Sequence, residues 1–338
     1  MGARAIAVAC EAAVMRFVVD GAGAVGGVLG GRLAQHGHDV TLIARGPHLD
    51  AIRARGLRVE DPDDAVVLRL PCVASPAELD VGAEDVVLLA MKTQDTTAAL
   101  EALAAAAAPP TPVVCVQNAV VNETTALRRF ANVYGVAVML PTQFLEPGVV
   151  QAYSTPTTGI LDIGPVPGGH VDELATAIAA AFTESRLASV ARPDIMAWKY
   201  RKLITNLGNA IEAVCGPDAR GGRLGDIVAA EGEACLDAAG VDRVSVEEDQ
   251  ERRGDLIRWR PIGGVRRGGG SSWQSLVRGT GAIETDYLNG EIVLLGRRHG
   301  VPTPANATLQ RLARTLAHTG GRPGSVTEDE VLELAIDC

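Results

Sequence analysis

Apolar and polar positions follow two different rhythms along the chain. From residue 16 to about residue 192, apolar runs of strand length alternate with longer segments of helical spacing. Arg16-Phe17-Val18-Val19-Asp20 runs into a glycine-rich turn, a helical stretch and a second short strand over 38–44. Residues 85–91 and 113–116 are unbroken apolar runs, the pattern of strands covered on both faces. Further short strands are predicted over 133–165, then a helix from about Val171 to Ser185 and a short strand over 188–191. Strands alternating with helical segments predict βαβ units and a mainly parallel sheet. After Pro193 the alternation stops and the chain reads as helices, the first from Asp194 and the last clear one over about 304–318. Residues 243–270 read as a charged helix and a mobile, glycine-rich loop. The predicted class is an α/β Rossmann-like dinucleotide-binding domain over 15–192, followed by an all-α domain over 193–320. A loosely held polar tail, 321–338, follows, and residues 1–14 read as a ragged extension with Met15 as a natural start. Glu11 interrupts the apolar run there, so a secretory signal is not expected.

Composition narrows the classes. With 338 residues the chain has room for two domains, and 47% hydrophobic with 21% charged residues is a globular balance. A net charge of −10 disfavours nucleic acid or an anionic membrane surface as partner. Six scattered cysteines without a C-x-x-C pair argue against a zinc site or a disulfide framework, and point to a reducing cytoplasm. No metal site is expected. Of the 31 basic residues only three are lysines, Lys92, Lys199 and Lys202, so the other 28 are arginine. A solvated surface accepts either cation, whereas a site that needs a compact ammonium with an adjustable pKa does not. The three lysines are therefore candidates.

Gly21-Ala22-Gly23-Ala24-Val25-Gly26 is G-x-G-x-x-G between a strand and a helix. In that context the first glycine makes the turn, the second lets backbone approach a pyrophosphate, and the third lets helix and strand pack. The second strand ends in Ala44-Arg45 and not in an acid, which favours the 2′-phosphate of NADPH over NAD. Lys92 and Asn118 fall at the carboxyl ends of two later strands, where ligands lie in open α/β sheets. On the helix after Pro193, steps of about 100° put Asn206, Asn209 and Lys199 within about 60° of Lys202. Lys199, Lys202, Asn206 and Asn209 thus form a polar stripe facing the crevice between the halves. Arg266 and Arg267 read as part of a solvated loop.

These motifs, with Trp198-Lys-Tyr-Arg-Lys202-Leu-Ile-Thr-Asn206, Ser271-Ser272 and Glu284-Thr-Asp-Tyr-Leu-Asn-Gly290, resemble the ketopantoate reductase (2-dehydropantoate 2-reductase) family over roughly residues 15–318. The resemblance implies NADPH-dependent reduction of a 2-keto acid to a 2-hydroxy acid, with 2-dehydropantoate as default substrate and pantothenate biosynthesis as setting. It implies Lys202 and Glu284 as active-site residues, Lys92 and Asn118 on the cofactor side, and Asn118, Asn206 and Ser272 toward substrate; Asn209, which falls one residue short of the family's second asparagine, is a substrate-side candidate from the stripe alone. It also suggests a homodimer. A nearby Glu284 is expected to favour the charged form of Lys202. Ala119, Ala210, Gly269 and Leu276 depart from the family pattern, and the resemblance puts them around the substrate end, leaving room for a bulkier or less polar 2-keto acid. The competing readings are a dehydrogenase of the same fold acting on another 2-hydroxy acid or an imine, and a non-catalytic dinucleotide-binding sensor.

Overall fold

The computed structural model describes residues 15–336, so the expected extension over residues 1–14 lies outside the described residues. The first half runs β1 (Arg16–Asp20), α1 (Ala24–Gln35), β2 (Asp39–Ile43), α2 (Gly46–Arg55), β3 (Leu57–Glu60), β4 (Ala65–Leu68), β5 (Cys72–Val73) and β6 (Asp85–Leu89). It continues with α3 (Thr96–Ala106), β7 (Val113–Cys115), α4 (Asn122–Leu127), β8 (Val133–Met139), β9 (Thr142–Gln143), β10 (Val149–Ala152), β11 (Gly159–Val166), α5 (Glu173–Glu184) and β12 (Leu187–Ala188). Eight strands form one sheet in the order β12-β11-β8-β7-β6-β1-β2-β5. All its pairings are parallel except β11 against β8. Its central strands are buried throughout, which is why they read as continuous apolar runs. The strand order reverses at β1, flanked by β2 and β6, so a crevice opens at the carboxyl ends of those strands. A second sheet, β4-β3-β10-β9, packs against α1.

The second half is helical: α6 (Ile195–Cys215), α7 (Arg223–Ala238), α8 (Val246–Arg253), α9 (Ser271–Val277), α10 (Asn289–His299), α11 (Pro304–Thr319) and α12 (Glu328–Ile336). Leu203, Leu207 and Ile211 bury one face of α6 among α7, α9 and α11, while the same helix also packs on β8 and β11. Helix α6 is therefore the beam between the halves. Lys199 pins it: its ammonium pairs with the fully buried Glu123 at 2.8 Å and donates to the carbonyls of Gln117 at 2.7 Å and Val136 at 3.1 Å.

Two expectations change. The segment read as a loose tail contains α12, which packs on α11 and buries Val331 completely. The apolar pair Val331 and Ala335, four residues apart, is the helical signal in that polar stretch. The loop after α8 is pinned to the first half. The Arg258 amide donates to Ser154 Oγ (3.1 Å), Arg260 N to Tyr153 O (2.9 Å), and Arg267 Nε to Thr142 O (3.1 Å). It forms one wall of the cleft between the halves.

Candidate active site

One cleft with two connected parts lies between the sheet and the helices. The nucleotide end, about 500 Å³, is lined by residues 20–25, Arg45, Lys92, Asn118, Arg278 and Glu284 among others. The substrate end, about 620 Å³, includes Lys202, Asn206, Asn209 and Arg267. Ala24, Val25, Asn118, Ser271 and Gln274 line both.

The nucleotide end is shaped by backbone. Gly21 turns at φ +99°, and a Cβ there would stand 2.6 Å from the Met91 nitrogen. Gly23 has no atom within 4 Å of where its Cβ would be, so that side of the turn is open to a ligand. Gly23 is also the N-cap of α1 and makes no side-chain cap bond, which leaves helix N–H groups directed at the opening. His48 holds the turn from behind. It accepts from the Gly148 amide at Nδ1 (2.9 Å), which leaves Nε2 to donate to the Ala22 carbonyl (2.7 Å). Burial lowers its pKa, which suits that neutral tautomer. These features fit a dinucleotide pyrophosphate.

Arg45 is exposed at the end of β2, lines this part, and has no carboxylate within 4.0 Å among the described residues. Asp20, at the end of β1, is buried with Oδ2 unpartnered. Desolvation pushes its pKa up to about 6, against the pull of Arg45. Lys92 donates to Ser275 Oγ on α9. Burial lowers its pKa, opposed chiefly by Glu284.

At the substrate end, the Asn206 amide donates to Asn118 Oδ1 (2.9 Å), one turn beyond Lys202 on α6. Lys202 is half-buried and makes no ion pair within 4.0 Å among the described residues. Its pKa falls to about 7, through burial first and then the positive fields of Arg253, Arg220 and Arg267; Asp249 opposes the shift.

Several expected placements change. Lys199 leaves the stripe, being consumed in the junction with Glu123. Glu284 faces Lys92 instead of Lys202; its Oε1 accepts from Thr93 N (2.9 Å) and Thr93 Oγ1 (2.6 Å), so Asp249, not Glu284, favours the charged form of Lys202. Ser272 is fully buried outside the cleft lining, and its neighbour Ser271 lines both parts; neither hydroxyl has a hydrogen-bond partner among the described residues. Arg267 belongs to the cleft wall, whereas Arg266 is exposed as expected. None of Ala119, Ala210, Gly269 and Leu276 lines the cleft. Ala119, Ala210 and Leu276 are in the helical core, and a Cβ on Gly269 would meet Trp273 at 2.7 Å. At these four positions the structure shows side-chain packing and no contact with the cleft.

Sequence reasoning missed Asp20, Arg220, Arg253, Ser271, Gln274 and Arg278 as lining residues. Asp20, an acid directly before the first glycine, was a readable signal. The arginines had none in a chain with 28 of them.

Comparison with known proteins agrees with this architecture. The ketopantoate reductase PanE/ApbA family model matches residues 17–168, and its C-terminal counterpart matches residues 194–317. A 2-dehydropantoate 2-reductase of Mesorhizobium japonicum is 31% identical, covering 90% of this chain and 98% of its own. The crystal structure of a PanE/ApbA family ketopantoate reductase from Ralstonia eutropha JMP134 superposes with a TM-score of 0.75 at 30% identity, over 90% of this chain and 99% of that one. A D-mandelate dehydrogenase solved with NADH and anilino(oxo)acetate shares the fold at 22% identity, with a TM-score of 0.76 over 90% of this chain and 99% of its own. The chain belongs to the ketopantoate reductase family and is an oxidoreductase of the CH–OH/C=O class.

Proposed function

We propose that the protein reduces a 2-oxo acid to the 2-hydroxy acid with NADPH. 2-Dehydropantoate is the substrate that the names of its relatives supply. The observation that carries this reading is Lys202, an amine of lowered proton affinity at the substrate end of a cleft whose other end is a dinucleotide cradle.

The cofactor, when bound, supplies a hydride to the carbonyl carbon. Gly21–Gly26 and the first turn of α1 would hold the pyrophosphate, and Arg45 would pair with the 2′-phosphate. Lys92, held by Ser275 and facing Glu284, would border the nicotinamide. Negative charge grows on the carbonyl oxygen as hydride arrives at carbon. Lys202 stabilises that charge and gives its proton to the oxygen, so the C=O becomes CH–OH and the amine is left neutral. Solvent reprotonates it. Arginine could supply the charge but is a poor proton donor, because its pKa exceeds about 12. Asn206 fixes Asn118 at the border between hydride source and carbonyl. Glu284 holds the loop that carries Lys92 and Thr93.

The test is loss of NADPH absorbance against a panel of 2-oxo acids headed by 2-dehydropantoate, with NADH in parallel. Turnover that favours NADPH is expected. Tight NADPH binding with no turnover on any member of the panel would replace this reading with the sensor reading.

A further inference from the structure

The substrate end has more positive charge than a simple 2-oxo acid needs. Lys202, Arg220, Arg253 and Arg267 line it, against one lining carboxylate, Glu212. Two of the four cations are already matched. Arg220 pairs with Glu212 at 2.7 Å and also donates to Asn209 Oδ1 (3.3 Å) and Thr205 O (2.5 Å). Arg253 pairs with Asp249 at 2.8 Å, one turn back on α8. Glu212 is held further by the Gly270 amide at 2.6 Å. Lys202 and Arg267 are left without a carboxylate within 4.0 Å among the described residues.

Arg267 is placed for a ligand. Its guanidinium lies 5.6 Å from the Trp259 ring centroid, and Nε donates to the Thr142 carbonyl. Those contacts fix the planar group at the wall. Among the described residues no carboxylate pairs with it within 4.0 Å, and Glu212 acts on it only as a more distant charge. Arg267 and Lys202 line the same part of the cleft. Apolar side chains of Val138, Leu140 and Ile257 border that space and suit intervening methylenes.

In the proposed reaction Lys202 takes the carbonyl oxygen. Ser271, whose buried hydroxyl has no partner among the described residues, and Asn118 offer neutral donors to the carboxylate beside that carbonyl. Arg267 is then left for a second anion. Resting on the 2-oxo acid reductase reading, we propose that the preferred substrates are 2-oxo dicarboxylic acids, with Arg267 binding the distal carboxylate. The planar fork of arginine suits a carboxylate held by two parallel bonds.

The experiment compares kcat/KM for 2-oxo dicarboxylates of four, five and six carbons with isosteres in which a dimethyl-capped carbon replaces the distal carboxylate, and with 2-dehydropantoate. Wild-type protein is expected to prefer one dicarboxylate over its isostere by roughly 10- to 100-fold, the range of a charge-assisted hydrogen bond. In Arg267→Gln the ratio falls toward one, and Arg267→Lys recovers part of it. A wild-type ratio near one overturns the proposal. So does an Arg267→Gln variant that slows both substrates equally, because Arg267 would then hold the carboxylate beside the carbonyl. Calorimetric binding of each dicarboxylate and isostere to the NADP-loaded protein reads the same ratio without turnover, and NADPH affinity checks that each variant is folded. Turnover confined to 2-dehydropantoate and other monoacids sinks this proposal and leaves the reductase reading standing. Selective dicarboxylate binding without turnover on any acid sinks the reductase reading instead.

Discussion

The two ends of the cleft are built by different means. At the nucleotide end the glycine turn is main chain from one contiguous segment, residues 21–25, and side chains including Arg45, Lys92, Arg278 and Glu284 complete the lining. The substrate end is assembled from side chains on α6, the turn after it, α8 and the long loop before α9. A backbone cradle recognises what every dinucleotide shares, and Gly21 answers a steric demand within it. A side-chain wall recognises what distinguishes one acid from another, and it changes by single substitutions. Membership of the ketopantoate reductase family therefore speaks more directly to the cofactor class than to the acid.

The substrate end should break first and hardest. Lys202→Ala removes both the charge and the proton donor, and we expect turnover to fall about 10²- to 10⁴-fold, the range for a positioned general acid. NADPH affinity measured by fluorescence titration should stay within a few-fold. Loss of NADPH binding would instead show that the two ends are not separable.

The beam between the ends is tested by Lys199. Lys199→Met leaves Glu123 buried without a counter-charge, at a cost of about 3–5 kcal/mol in stability. The double variant Lys199→Met/Glu123→Leu should recover most of this in a denaturant titration. Failure to recover would mean that the ammonium's bonds to Gln117 and Val136, and not the ion pair, hold α6 on the sheet.

Arg45→Ala is confined to the nucleotide end. It should weaken NADPH by about 1.5–3 kcal/mol, the scale of a charged hydrogen bond, and leave NADH nearly unchanged. Equal losses for both cofactors would remove Arg45 from the 2′-phosphate.

The smallest effect lies at the border. Ala119 has φ 66°, in the left-handed region that costs a non-glycine residue roughly 1–2 kcal/mol. Ala119→Gly relieves that strain and adds unfolded-state freedom of roughly 0.5–1 kcal/mol. A net gain of about 0.5–1 kcal/mol is expected from thermal unfolding. A lower melting temperature would show that the Ala119 methyl packing in the helical core outweighs the strain.

Local chemistry made part of this legible in the sequence. The turn before α1 declares itself because strand, glycines and helix are adjacent. Lys202 stood out because most other cations are arginine, and its stripe with Asn206 and Asn209 follows from helical geometry alone. Lys199 shares that arc, yet its direction is set by Glu123 and the carbonyls of Gln117 and Val136, partners between 63 and 82 residues distant in sequence. Arg220, Arg253 and Arg267 look like surface arginines until the chain folds them onto one cavity. The family departures at Ala210, Gly269 and Leu276 suggested a change of substrate, but their side-chain volumes are set by core packing. What a residue touches across elements cannot be read from periodicity.

The central claim is that Lys202 donates the proton, and its lowered pKa makes this measurable. Burial and three arginines hold the amine at about 7, from an ordinary value of 10.5, so its protonated fraction falls as pH rises through 7. The pH dependence of kcat/KM reports the free enzyme. In the direction of 2-oxo acid reduction it should decline above about pH 7, approaching tenfold per unit, and this break should vanish in Lys202→Arg. A profile flat to pH 9, or one whose break survives in Lys202→Arg, would contradict the assignment.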